Sequence, residues 1–500
     1  MVEAVAERGY AGTSVAELTR MAGVSKRTFY QQFADKQDCF LATHERIVDC
    51  ALSPIEATAG AQIAGGGAWA AGGGRERMRE AFVALASAAA EHPGAAWLAL
   101  VEAPAAGSAA LARADAARLR FARIVLQGFR NALPPGPRAR SGLGAGLVSE
   151  AESRLRADRR RDADRRRAAD RRRAAEPGSG ADLALDVESG GLGADLALDV
   201  ESGSEELGVG PVVGRGMATC ALGIVYGAEH LLRRGLLADD AANREPPPEA
   251  LADWAMSYFS PALRELDVVS PGRARAGRPR LRLTRNDERT RILHATAEIA
   301  AGGGFANLTP SRICARAGVC ERAFQANYES AEACLLEAFD LAGLETLISA
   351  AAPSRDRARR ASNAASPADR GQASAAALCR GIAALMDYAA TDPLVRGLIL
   401  MNTLAWDPAG IQRRERVLGR FADVLAARLS PPSLPADLLA HAVVGAVWGI
   451  VRHHVVAGTA HLLPSLAGHA SYLALAPIAG PERAVRAILA ERRDGAQASP

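Results

Sequence analysis

The sequence predicts an all-α protein built twice over, and three observations predict it. Apolar residues recur at three- and four-residue spacing through Ala- and Leu-rich stretches, as in Met78, Phe82, Leu85 and Ala89, or Val417, Phe421, Val424 and Leu425. No run of alternating β-branched residues bounded by turns marks a strand. The chain also repeats itself. Gly9–Leu41 lies over Gly304–Leu336 without a gap, pairing Gly23-Val24 with Gly318-Val319, Arg27 with Arg322, Phe29 with Phe324 and Cys39 with Cys334. Further echoes pair His92-Pro93 with Asp392-Pro393, Phe121-Ala122 with Phe421-Ala422, and Gly223-Ile224-Val225 with Gly449-Ile450-Val451. The order of elements is the same in both halves, which reads as a duplicated two-part unit of ordinary domain size.

Composition narrows the class. The 500 residues are 49% hydrophobic and 5% aromatic with a net charge of +4, a globular composition that fits several domains rather than one core. Lys26 and Lys36 are the only lysines; the excess of Arg, Ala, Gly and Pro reads as coding bias. No apolar run reaches the ~18–20 residues of a membrane span, and no basic-then-apolar leader opens the chain. Seven cysteines without CxxC spacing argue for a reducing cytoplasm, against a disulfide scaffold and against a zinc module. No phosphate-binding loop with Lys, GxSxG elbow or HExxH motif is present, so the sequence does not read as an enzyme, and it implies no cofactor.

Each half opens on the same local pattern. Ser14 is placed to cap a helix with Glu17 returning a bond, and Val15, Leu18 and Ala22 point inward. Gly23 supplies a turn of positive φ, Val24 plugs the angle between two helices, and Ser25 caps a short helix over Lys26–Phe33. Asp35 caps the next. The second copy keeps this frame: Thr309 caps, Pro310 takes the first helical position where a missing N–H is harmless, and Ser330 replaces Asp35. Helix, glycine turn and short capped helix make a helix-turn-helix, whose second helix enters the major groove.

The stretch Gly9-Tyr10-Ala11-Gly12-Thr13-Ser14-Val15, then Ala22-Gly23-Val24-Ser25-Lys26-Arg27-Thr28-Phe29-Tyr30-Gln31-Gln32-Phe33 and Asp35-Lys36, resembles the DNA-binding signature of the TetR family of bacterial regulators. The second copy resembles it less closely, and Gly445–Gly449 and Tyr472–Pro477 resemble the family's ligand-binding and dimerising helices. The resemblance implies tandem TetR-like units, each a helix-turn-helix plus a helical ligand domain. It implies double-stranded DNA and a small-molecule effector as partners, no membrane, and an internal pseudo-dimer, with further homo-oligomers possible.

On this plan residues 1–50 hold the first helix-turn-helix, cut short ahead of Gly9. Residues 51–133 and 211–270 form the first helical domain, interrupted by a low-complexity insertion over 134–210; 271–285 is a basic linker; 286–345 hold the second helix-turn-helix; 346–495 form the second helical domain. The insertion carries eleven Arg against four Asp in Arg154–Arg173, then eight acids and no base in Ala181–Glu206. It reads either as an expansion without a packed core or as an auxiliary phosphate-binding segment.

The candidate DNA-facing residues are Ser14, Ser25, Lys26, Arg27, Thr28, Tyr30, Gln31 and Lys36 in the first copy, and Thr309, Arg322 and Gln325 in the second. Thr28 and Gln31 suit base edges and Arg27 suits guanine; by the resemblance Tyr30 and Lys36 lie against phosphates. In the second copy Lys26 becomes Glu321, Tyr30 becomes Gln325 and Lys36 becomes Ala331, so its DNA contact is expected to be weaker. Trp97, Phe121, Met401 and Trp406 are candidate walls of apolar effector pockets, with ordinary core packing as the competing reading. The Gly-spaced stretches Gly216–Leu232 and Leu438–Val456 permit close helix approach and are expected to join the halves in a four-helix interface. The function expected is a ligand-responsive, sequence-specific repressor acting as one chain on an asymmetric operator. The alternative is a ligand sensor or partner-binding antagonist of the same fold that does not bind DNA.

Overall fold

Caps, glycines and prolines punctuate the chain into helices, and among the described residues there is no strand. The computed structural model describes residues 1–60, 73–132, 211–238, 247–268, 287–303, 308–335, 337–338, 367–392, 396, 408–426 and 434–497. The chain divides into two units, Met1–Ala132 with Ala197–Pro500, and Leu133–Leu196; every described residue falls in the first. The 134–210 insertion and the 271–285 linker lie outside the described residues.

In the first half α1 (Val2–Gly12), α2 (Val15–Ala22), α3 (Lys26–Gln32) and α4 (Lys36–Gly60) are followed by α5 (Gly73–Glu91), α6 (Pro93–Leu100), α7 (Ser108–Ala132), α8 (Pro211–Leu237), α9 (Pro248–Met256) and α10 (Leu263–Val268). In the second half come α11 (Glu288–Gly303), α12 (Pro310–Ala317), α13 (Glu321–Asn327), α14 (Pro367–Thr391), α15 (Pro408–Ala426) and α16 (Ala436–Val456). A 3₁₀ turn (Ala460–Leu462), α17 (Leu463–Ala479) and α18 (Pro481–Gln497) complete it. Proline sits in the first turn of α6, α9, α12 and α17, where no intrahelical N–H bond is lost. Helix α4 runs straight through the expected boundary at residue 50, so the first helix-turn-helix and the body behind it share one rod.

The most extensive helix pair joins the halves. Helix α8 lies across α16, and α7 and α17 pack beside it. The approach is close because glycines stand where side chains would collide. A Cβ on Gly449 would lie 2.1 Å from Tyr226 Cγ, one on Gly445 2.5 Å from His230 Cβ, and one on Gly227 2.7 Å from the Ala442 carbonyl oxygen. The expected Gly-spaced contact between the halves is therefore made by these residues. Below it Tyr258 and Tyr472 exchange bonds: the Tyr258 hydroxyl donates to the Leu473 carbonyl at 2.8 Å and the Tyr472 hydroxyl to the Tyr258 carbonyl at 2.9 Å. Trp254, Tyr258 and Tyr472 are fully buried, and each hydroxyl finds the partner that burial demands.

Ala436–Val456 and Ala460–Ala479 are long and apolar enough to cross a membrane by length and composition, which corrects the expectation that no such stretch exists. Scattered polar residues hide both from a search for unbroken apolar runs. About two thirds of each is buried against other helices (67%), and α16 carries Arg452 and His441 in polar contacts within the protein. Both therefore read as core helices of the body.

The glycine crossing makes a direct prediction. Gly449→Ala should cost roughly 1–3 kcal/mol, since the added methyl meets the Tyr226 ring rather than a flexible chain end. Urea unfolding of the full chain measures it, and an unchanged midpoint would contradict the close crossing.

Candidate nucleic-acid interface

The first helix-turn-helix is assembled by its caps. The Ser14 hydroxyl accepts from the Glu17 N–H at 3.3 Å, but the Glu17 carboxylate turns to Arg8 at 2.7 Å, so only half of the expected capping box forms. Gly23 is left-handed at φ +65°, a conformation that a side chain would strain. Ser25 accepts from the Thr28 N–H at 3.0 Å, and Asp35 from the Asp38 N–H at 2.8 Å. Leu18, Phe29, Cys39 and Ala4 form the core beneath these helices. Val24 does not plug the corner: it is 42% exposed, and Ala22 is exposed beside it, because α2 and α3 close on Leu18 and Phe29 and leave the turn outside. The short α1 is docked, with Ala4 and Val5 buried.

Lys26, Arg27, Thr28, Tyr30 and Gln31 are exposed on α3, whose one buried residue is Phe29. The Thr28 hydroxyl lies 2.9 Å from that of Ser25, so base contact by Thr28 requires that pair to open. Lys36 is engaged within the domain. Its ammonium donates to the Tyr10 carbonyl at 2.9 Å and lies 4.0 Å from the centre of the Tyr10 ring, which ties α4 to the end of α1. Partial burial lowers its pKa.

Residues 308–335 show the same pattern of caps and corner. Thr309 accepts from the Arg312 N–H at 3.4 Å, Gly318 is left-handed at φ +64°, and Ser330 accepts from the Ala333 N–H at 3.0 Å. Ile313, Phe324, Tyr328 and Cys334 are buried, and here Val319 does pack against the core. Cys320 replaces Ser25 and makes no side-chain cap. Arg322 and Gln325 are exposed on α13, next to the acidic Glu321. Burial raises the thiol pKa of Cys39 and pushes that of Cys334 up to about 11, so neither is primed for redox chemistry.

A carboxylate of the body helps to fasten the first helix-turn-helix. Buried Glu102 accepts from the Tyr10 N–H at 2.9 Å and from the Trp97 indole at 3.0 Å, beside the kink of α1 at Gly9. Gln37 adds a bond to the Ala106 carbonyl at 2.6 Å. Trp97 is therefore a strut behind the helix-turn-helix. Phe121 is buried edge-on to Phe82, with ring centres 5.3 Å apart. Neither lines the cavity described next, and Met401 and Trp406 lie outside the described residues.

That cavity, with about 40 Å³ open to water-sized groups, lies where α8 and α16 meet the segment before α7 and the side of α15. Its wall sets a charged cluster among apolar residues such as Leu100, Leu111, Leu418 and Trp448. Arg118 forks onto Glu229 and reaches Asp115 at 2.6 Å; Arg452 holds Asp115 at 2.9 and 3.2 Å; Arg233 bridges Glu229 at 2.8 Å and Glu415 at 2.9 Å. Burial alone would raise the pKa values of Glu229 and Glu415, but the surrounding arginines outweigh it and hold both at about 2. Below α8, His230 Nε2 faces His441 Nδ1 at 3.3 Å, and burial pulls His230 down to about 3. Sequence reasoning missed this cluster. Its one signal was Glu229 and Arg233 four apart, with Arg452 alone, inside otherwise apolar glycine-spaced helices. Among the described residues no group of three or more His, Cys, Asp or Glu is placed to hold a metal ion.

Comparison with known families matches residues 2–43 to the family described as bacterial regulatory proteins, tetR family. The N-terminal segment is thus a helix-turn-helix domain of the TetR type, consistent with a DNA-binding regulatory function. No curated protein matches the chain.

The strut and the buried histidines each generate a prediction. Glu102→Ala leaves two part-buried donors unpaired at a cost of about 1–3 kcal/mol; amide exchange in α1 should accelerate relative to α5, and equal protection would contradict the strut. The second concerns acid. Unfolded histidine takes up protons near pH 6.5, whereas folded His44 waits until about 4 and His230 until about 3. Stability is therefore lost as pH falls below 6.5, each histidine adding a slope approaching 1.4 kcal/mol per pH unit. Glu229 and Glu415 add further loss between pH 4.5 and about 2. Unfolding midpoints that stay flat from pH 7 to 5 would contradict it.

Proposed function

We propose that the chain is a ligand-sensing regulator in which two TetR-like units are fused, the first helix-turn-helix supplies the DNA contact, and the second serves chiefly as scaffold. The observation that carries this reading is α3. Its outer face is Lys26, Arg27, Thr28, Tyr30 and Gln31, all exposed, with no acid in its first turn. On this reading Arg27 reads guanine, Gln31 reads adenine, and Lys26 and Tyr30 meet phosphates, with the caps Ser14 and Ser25 at the helix starts nearest the backbone. The counterpart face on α13 carries Glu321 beside Arg322 and Gln325, and a carboxylate facing phosphates weakens binding. Any site touched by both is therefore asymmetric. Support for the fusion comes from the repeated left-handed corners at Gly23 and Gly318 and from the reciprocal bonds of Tyr258 and Tyr472.

A sensor or partner-binding antagonist without DNA contact is the second reading, and specific observations favour it. The ammonium of Lys36 is committed to Tyr10, the hydroxyls of Ser25 and Thr28 face one another, and Glu321 occupies the second head. The family match ends at residue 43, and among the described residues beyond it α7, α8, α15 and α16 surround a cavity with a charged cluster. Weighed over the whole chain, these features suit a sensor better than a dedicated repressor. The two readings part at α3.

Selection of bound duplexes from a random pool by the full chain, with Arg27→Ala and Arg322→Ala alongside, tests the proposal. The expected outcome is salt-sensitive binding that Arg27→Ala weakens by roughly 1–3 kcal/mol and Arg322→Ala leaves nearly intact. Absence of salt-sensitive binding to any duplex would overturn DNA contact and leave the sensor.

A further inference from the structure

The charged cavity between the halves holds one cation too many. Among the described residues four arginines, Arg118, Arg233, Arg414 and Arg452, face three carboxylates, Asp115, Glu229 and Glu415. The partnerships of Arg118, Arg233 and Arg452 are strong and use up the acids. Among the described residues Arg414 donates to Glu415 Oε1 alone, at 3.2 and 3.3 Å, and that oxygen already accepts from Arg233 at 2.9 Å. No other group among the described residues of the wall supplies the missing negative charge. Tyr226, whose hydroxyl meets Arg452 at 3.2 Å, is pushed up to about 12 by burial and stays neutral. The His230 ring lies 3.3 Å from Glu415 Oε2 and is also neutral. Burial and the neighbouring Arg233 draw the Arg414 pKa down to about 10, which still leaves it charged at neutral pH. A buried cation without its own counter-charge is costly unless something answers it.

We propose that this cavity is a single binding site for a small oxyanion, a carboxylate or phosphate group, held by Arg414 with the fork of guanidinium groups around it. The space suits such a head group: about 40 Å³ admits only a few water-sized groups. Guanidinium donors are matched to these anions. Residues of both halves build the wall, so one site serves the whole chain. The inference names the ligand class for the sensor part of the function above, and it does not depend on DNA contact.

Titration calorimetry of the full chain with inorganic phosphate and, separately, succinate tests it at constant ionic strength. Saturable binding of one equivalent of either probe is expected; phosphate alone marks a phosphate head and succinate alone a carboxylate. Arg414→Met should abolish it, and Arg414→Lys, which keeps the charge but not the fork, should weaken it by about tenfold. Thermal unfolding keeps the variants interpretable: without anion Arg414→Met melts no lower than the parent, and a saturating probe raises the parent alone by roughly 1–3 °C. No binding of either probe, or equal binding by Arg414→Met, would overturn the proposal. Because no duplex is present, loss of DNA binding elsewhere would leave this result untouched.

Discussion

The close crossing of α8 over α16 is the constraint on which the body depends. Gly227, Gly445 and Gly449 let two backbones approach where any side chain would meet a ring or a carbonyl. Once they do, everything else on the facing sides must be buried. Tyr226 and His230 of α8 fill the hollows opened by the glycines of α16. Glu229 and Arg233, on the same helix, are drawn out of water with them. A buried ion pair stabilises little by itself, but removing one member leaves an unanswered charge that costs several kcal/mol. The glycines thus create both a tight seam and a demand for charge balance within it.

That seam is mechanically close to the first helix-turn-helix. Leu100, Ala103 and Pro104 line the charged cavity, and Glu102, between them, holds the Tyr10 N–H and the Trp97 indole. One short segment therefore touches the cavity on one side and the end of α1 on the other. Helix α4 provides a second rigid path, since it begins under α3 and packs against α6 and α7. A ligand that prefers one arrangement of residues 100–104 would shift the presentation of α3 by that difference in affinity, and by no more.

Much of this was legible in the residues. Gly23 and Gly318 announced two left-handed corners, and Ser14, Ser25, Thr309 and Ser330 announced the helix starts, because caps and turns are local chemistry. The glycine spacing of 216–232 and 438–456 announced the crossing. What escaped depended on partners distant in sequence. Nothing near Lys36 says that its ammonium folds back onto Tyr10, and nothing near Trp97 says that its indole answers Glu102. The charged cavity draws Asp115, Glu229, Glu415 and Arg452 from four helices, and such a set has no spacing to read. Large side chains suggest apolar pockets, whereas this cavity holds a charged cluster among apolar walls.

On the fused reading proposed above, one chain supplies both sides of a seam that separate subunits would otherwise share. Sedimentation equilibrium of the full chain across nanomolar to micromolar concentration tests it most directly. Because the facing surfaces of α8 and α16 are already spent on each other, the account predicts the mass of a single chain throughout. A two-chain species that persists at nanomolar concentration, and that Gly449→Ala dissociates, would contradict it.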